Sequence, residues 1–206
     1  MNNASNIKHV WFDFTDTIAA MDKVQFDKLI YTAYAEVVQK EATPELIEEY
    51  KKLLKQHKSN SAVFVSLGMS SDFLSGKANA NKDLYHLTDN KIPDVVEKLT
   101  ERVPVSIFSN TRLDTLLPAL GIKLEWITHL LGPDVVKKPK PALDGFNKMV
   151  ALSGVSPHEI LYVGDDVEKD LLPAQEIGLL TGLLWKDSDV PDYCFKDFSD
   201  IASLFG

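Results

Sequence analysis

The chain has 206 residues, of which 45% are hydrophobic and 25% charged, enough for one α/β domain with an inserted subdomain and a core that needs no disulfide. The single cysteine, Cys194, has no CxxC or Cys/His neighbour, which points away from a structural zinc or redox pair and towards a reducing compartment. A formal charge of −8 without a broad basic tract argues against nucleic acid as the principal partner. The longest apolar stretch, residues 177–185, is too short for a bilayer, and the polar start Met1 to Lys8 lacks the apolar core of a signal peptide, so a cytoplasmic protein without membrane contact is expected.

Ile7 to Phe14 (IKHVWFDF) reads as a β-strand that runs into carboxylates and hydroxyls. From Ile18 to Lys91 the texture is helical. Phe26, Leu29, Ile30, Ala33, Tyr34 and Val37 recur at helical spacing, and Thr43-Pro44 reads as an N-cap with proline in the first turn. No strand is evident in this block. Beyond it, short apolar strands alternate with helices. Val103 to Phe108, Ile160 to Val163 and Leu179 to Leu184 read as strands. A helix carries Val95, Val96 and Leu99, others span Leu113 to Leu120 and Asp170 to Ile177, and Leu143 to Ser153 is closed by Gly154. Such alternation predicts a doubly wound parallel sheet covered on both faces, with ligands bound outside the carboxyl ends of the strands. The expected division is an α/β core of residues 1–17 and 92–206 with a helical insertion over 18–91.

Four groups of reactive side chains fall just past strand ends. They are Asp13-Phe14-Thr15-Asp16-Thr17, then Ser109-Asn110, then Lys138-Pro139-Lys140-Pro141, then Gly164-Asp165-Asp166-Val167-Glu168-Lys169-Asp170. A strand-end carboxylate can be a covalent nucleophile if a cation offsets its repulsion from a phosphate. A hydroxyl and backbone N–H groups can hold phosphoryl oxygens, a lysine can neutralise developing charge, and clustered carboxylates suit a hard cation such as Mg²⁺. Singly, each group also reads as an ordinary cap, turn or solvated corner.

Together, in this order, the motifs resemble the haloacid dehalogenase superfamily, whose phosphatases carry Asp-x-Asp-Gly-Thr, Ser/Thr-Asn, Lys-Pro-x-Pro and Gly-Asp with a further Asp. The resemblance runs from Trp11 to Trp185 apart from the insertion, which would be the family's helical cap. It implies a Mg²⁺-dependent hydrolase of a small phosphomonoester, with Asp13 as nucleophile. It also implies Mg²⁺ on Asp13, the Thr15 carbonyl and Asp165, with Asp166 or Asp170 as a further ligand. Ser109, Asn110 and Lys138 would bind the phosphoryl group. Lys137 competes with Lys138 for the lysine role, the following proline favours Lys138, and Lys140 reads as exposed.

The pattern breaks at Thr15, where the family's phosphatases have a second aspartate that protonates the leaving oxygen and activates water. A threonine hydroxyl does not titrate near neutral pH, and losing such a group typically costs ~10²–10⁴-fold in rate. Asp16 stands where glycine is usual and could substitute only if the turn rotates it inward. A second account is a substrate with a good leaving group, or a covalent intermediate meant to persist, and the alternative to an efficient enzyme is a weakly active or non-catalytic phosphate- and Mg²⁺-binding regulatory protein on the same scaffold. The dehalogenase branch normally has tyrosine at position 15 and needs no Mg²⁺, and the acidic fourth motif counts against it. The histidines His9, His57, His86, His129 and His158 show no ligand spacing and read as surface or satisfied core.

Overall fold

The structure is a computed structural model that describes residues 6–57, 59–70, 73–136 and 138–205. In chain order the elements are β1 (His9–Phe12), β2 (Ala19–Met21), α1 (Lys23–Val38), α2 (Pro44–His57), α3 (Asn60–Ser66), α4 (Phe73–Ala80) and β3 (Tyr85–Leu87). Then follow α5 (Ile92–Thr100), β4 (Val105–Phe108), α6 (Leu116–Ala119), β5 (Leu130–Leu131), α7 (Leu143–Ser153) and β6 (Ile160–Gly164). A π-type turn, Val167–Leu171, leads into α8 (Leu172–Glu176), and β7 (Leu180–Leu184), β8 (Tyr193–Phe195) and α9 (Phe198–Ala202) complete the order.

Six strands form one parallel sheet in the order β5-β4-β1-β6-β7-β8. The chain winds outward from β1 through β4 to β5, then returns to the other side of β1 and winds through β6, β7 and β8. The strand order therefore reverses beside β1, where an open α/β sheet leaves a crevice at the carboxyl ends. This is the expected doubly wound core. Its strands are buried on both faces: β1, β4 and β6 have no exposed residue.

Alternation sorts the core into two layers. Trp11 and Tyr162 lie in a cluster with Phe108, Phe146, Met149 and Ala174, the layer in which α7 packs on α8. Phe12 points the other way and stacks on Phe198 of α9, which packs with α5. Asp13 is two residues beyond Trp11, so the side chain that follows the strand begins on the α7–α8 side.

The chain divides into two compact units, Met1–Ala20 with His86–Gly206, and Met21–Tyr85. The second holds α1 to α4 around Ile30, Tyr34, Tyr50, Val63, Phe64 and Leu74. Tyr50 donates to Asn60 Oδ1 at 2.6 Å, and Phe73 packs its ring 5.2 Å from that of Phe64. The Thr43 hydroxyl caps α2 by accepting from the Leu46 N–H.

Several expectations are corrected. The helical block from 18 to 91 contains two short strands, β2 and β3, which pair with each other, and the boundaries between units fall inside them. The two-residue β5 and the three-residue β8 carry too little pattern to read. The helix expected from Asp170 begins instead as the π-type turn.

His9 is 3% exposed, stacks on Trp11 and His129, and shares a 2.8 Å hydrogen bond with Ser106 Oγ. Burial, aided by the nearby His129, lowers its pKa to about 4. An unfolded histidine binds its proton near pH 6.5, so between pH 6.5 and 4 the unfolded chain holds a proton that the folded one does not. This contribution to stability is complete above pH 6.5 and shrinks as pH falls. Urea denaturation should show wild type losing about 2 kcal/mol more than His9→Gln between pH 7 and 5.

Candidate active site

Asp13 follows β1 directly. Its N–H donates to Val163 of β6 at 2.8 Å, which fixes the start of the turn between the two central strands. Its side chain is buried. One oxygen accepts from Lys140 Nζ, and the other lies 3.3 Å from the Thr17 hydroxyl, which donates to it. Burial pushes the Asp13 pKa up to about 6; the Lys140 ammonium opposes that rise and the Asp170 carboxylate adds to it.

The lysine at this site is Lys140, a correction to the expectation that Lys138 would bind the phosphoryl group and Lys140 would be exposed. Lys140 Nζ also donates to Asp170 Oδ1 at 2.6 Å and to the Tyr162 hydroxyl at 2.9 Å, and lies 5.3 Å from the Phe108 ring centroid. Burial opposes its charged form, but Asp13 and Asp170 outweigh burial and raise its pKa above the usual lysine value. Lys138 has a side chain 70% exposed and pairs with Asp144 instead. Lys137 lies outside the described residues. The physical reason is register: α7 begins at Leu143, and Gly145 and Phe146 seat it on Phe108 and Tyr162, which carries Lys140 over the α7–α8 layer. Asn110 holds that register by accepting from the Lys140 N–H at 2.9 Å and donating to its carbonyl at 3.4 Å.

The fourth motif splits its carboxylates by role. Asp166 begins the π-type turn, accepts from the N–H groups of Glu168 and Lys169, and pairs with Lys169. Those bonds hold its pKa below the ordinary value although burial opposes them. Asp170 is carried inward across Gly164, where an added Cβ would stand 2.7 Å from the Asp170 Cβ; only glycine admits that approach. Asp165 follows β6 and takes Lys186 as its partner. Burial raises its pKa, with Lys186 opposing.

Asp13, Asp165 and Asp170 each offer an oxygen within 4.8 Å of the others. Among the described residues, the cations paired with them are Lys140 and Lys186. Three carboxylates against two ammonium groups leave negative charge uncompensated, and an all-oxygen donor set suits a hard divalent ion. The residues present therefore fit Mg²⁺.

Ser109 directly follows β4, beside β1, and is buried; its hydroxyl accepts from the Thr111 N–H at 3.0 Å. Thr15 is half-buried and bridges to Ala19. Asp16 is exposed with φ +60°, a left-handed conformation that glycine adopts most easily and that a short acid tolerates. Its N–H donates to Ala19 and its carbonyl accepts from the Trp185 indole, which pins the backbone of the turn; the side chain is exposed, yet near enough to Asp165 for its charge to add to the rise that burial imposes on that group's pKa. Sequence reasoning assigned no role to Thr17, Tyr162 or Lys186. Tyr162 could have been noticed as the one hydroxyl in an otherwise aliphatic strand.

Removing the lysine of a buried group leaves its acids unpaired, typically at ~3–5 kcal/mol. Without divalent ion, Lys140→Met should lose about that much in chemical denaturation, and Lys138→Met should change stability by less than ~0.5 kcal/mol.

Comparison with known proteins bears on the family and the fold. The family model described as haloacid dehalogenase-like hydrolase matches residues 7–178. A glyceraldehyde 3-phosphate phosphatase of Methanocaldococcus jannaschii is 31% identical over an alignment covering 43% of this chain and 51% of that protein, so the chain spans about half the length of this relative. The HAD phosphatase of Thermococcus onnurineus superposes with a TM-score of 0.78 at 17% identity, over 97% of this chain and 98% of that one. The putative HAD-hydrolase YfnB of Bacillus subtilis, whose structure is bound to magnesium, gives 0.66 at 17% identity, over 97% and 98%. The last two likenesses concern the fold. The chain belongs to the haloacid dehalogenase-like hydrolase family.

Proposed function

We propose that the chain is a Mg²⁺-dependent phosphatase of a small phosphomonoester, working through an aspartyl-phosphate on Asp13. The observation that carries this reading is the buried contact of Asp13 with Lys140, with Asp165 and Asp170 close enough to share one cation. Asp13, Asp165 and the Thr15 carbonyl would hold Mg²⁺, and Asp170 would steady Lys140 and could serve as a further ligand. When bound, Mg²⁺ supplies positive charge that lets an anionic phosphoryl group approach a carboxylate.

The chain's own residues account for the rest. An Asp13 oxygen forms a bond to phosphorus as the bond from phosphorus to the alcohol oxygen breaks. Lys140 offsets the charge on the transferring group, and Ser109 with the backbone after β4 donates to its oxygens. The departing alkoxide takes its proton from solvent, because Thr15 has none to give near neutral pH. Water then bonds to phosphorus, the bond to Asp13 breaks, inorganic phosphate leaves and the carboxylate is restored. The M. jannaschii relative is named for a phosphorylated three-carbon aldehyde, so compounds of that class head the substrate panel.

Thr15 favours a second reading, a slow or non-catalytic phosphate binder on the same scaffold. In this reading Asp16 does not rescue the acid, because its left-handed turn is pinned by main-chain bonds and leaves the carboxylate exposed. Hydrolysis of an aryl phosphate separates the two readings: turnover that needs Mg²⁺ and vanishes with EDTA and in Asp13→Asn supports the enzyme. Background rates in all three conditions support the binder. If the missing acid limits the rate, Thr15→Asp should raise kcat about tenfold or more on alkyl phosphates and less on aryl phosphates, whose leaving groups need no proton. An equal or lower kcat in a folded variant would count against that account.

A further inference from the structure

The two residues that follow β7 reach back to the site from outside all four motifs. Trp185 has φ +70°, one of three non-glycine residues with positive φ among those described; the others are Asp16 and Gln39. Its N–H donates to Phe195 of β8 at 2.9 Å, and its indole Nε1 donates to the Asp16 carbonyl at 3.2 Å. Two left-handed residues are thus joined, one in the nucleophile turn and one after β7. Backbone of this kind costs free energy and persists where the surroundings enforce it. With Trp185 fixed, Lys186 Nζ donates to the Asp165 carbonyl at 2.8 Å and stands 3.3 Å from Asp165 Oδ2. Its side chain is 60% exposed, whereas that of Asp165 is 16% exposed.

An exposed lysine ordinarily gains little from a surface ion pair. This one is anchored to a main-chain oxygen as well as a carboxylate, and it sits on a proposed ligand of the cation. The geometry points to Lys186 as a tethered counter-ion of Asp165, against which the divalent ion competes, so that Lys186 sets how tightly the site holds its cation. The inference rests on the proposed cation site. Physically, the ammonium balances part of the carboxylate charge while the divalent ion is away and repels it on arrival. A lysine that merely oriented Asp165 would have the opposite effect on removal, weaker binding, so the sign discriminates the two roles.

The test is Mn²⁺ titration of the full chain, with free ion counted by electron paramagnetic resonance and Mg²⁺ ranked by displacement. Lys186→Met and Lys186→Gln should bind Mn²⁺ about tenfold more tightly than wild type, the order expected for removing a unit charge beside a divalent ion in a water-like dielectric, and Lys186→Arg within about twofold of wild type. The gap should narrow as salt rises, because the lysine is exposed. Unchanged or weaker binding by Lys186→Met and Lys186→Gln overturns the inference while leaving the cation site standing. No binding by wild type, or equal binding by Asp13→Asn, overturns the cation site and this inference with it.

Discussion

The Lys140 ammonium lies between the Asp13 and Asp170 carboxylates where water is nearly excluded, the three side chains being 5%, 7% and 3% exposed. One positive charge against two negative ones, at low exposure, cannot be tolerated unless each group is held by further bonds. The surroundings supply them. Tyr162 donates to Asp170 and accepts from Lys140, Thr17 donates to Asp13, and Asn110 grips the lysine's own backbone. Much of the sequence between β4 and α8 is constrained by this arrangement: the glycine at 164, the aromatic row under the lysine, and the start of α7.

The same arrangement supports the proposed chemistry. A fully neutralised carboxylate would be a poor nucleophile, and an isolated one would repel a phosphoryl group. Here the excess negative charge is left within the Asp13–Lys140–Asp170 group, next to Asp165, where the strand order reverses beside β1. A divalent cation placed there completes the charge balance, and an anionic substrate then becomes acceptable. The fold offers its carboxylates where they are under-compensated, which makes the site less stable alone than with its ligands.

Much of this was legible in the sequence because strand-end position and side-chain alternation are local properties. Asp13 after an apolar run, Ser109 after another and Asp165 after a third could be placed without coordinates. The lysine could not. Lys138 and Lys140 both precede proline, and choosing between them requires knowing where α7 starts, which Phe146 decides by packing on Phe108 and Tyr162 far away in sequence. The division of labour between Asp166 and Asp170 was hidden similarly, since it depends on the turn that separates them. Short strands such as β5 and β8 exist by pairing with a neighbour, and two or three residues carry no periodicity.

The π-type turn has a geometric consequence of its own. In it the Leu172 N–H bonds to the Val167 carbonyl five residues back, whereas a regular helix closes on the fourth. The extra residue shifts the phase of everything after it by about 100°. That offset lets Asp166 serve as a cap at the surface, Asp170 turn inward to the lysine, and Ala174 of α8 still face the core. A chain shorter by one residue here would wind a tighter helix and aim one of those three side chains wrongly. The loosened spiral acts as a vernier between the core's spacing and the spacing that the chemistry requires.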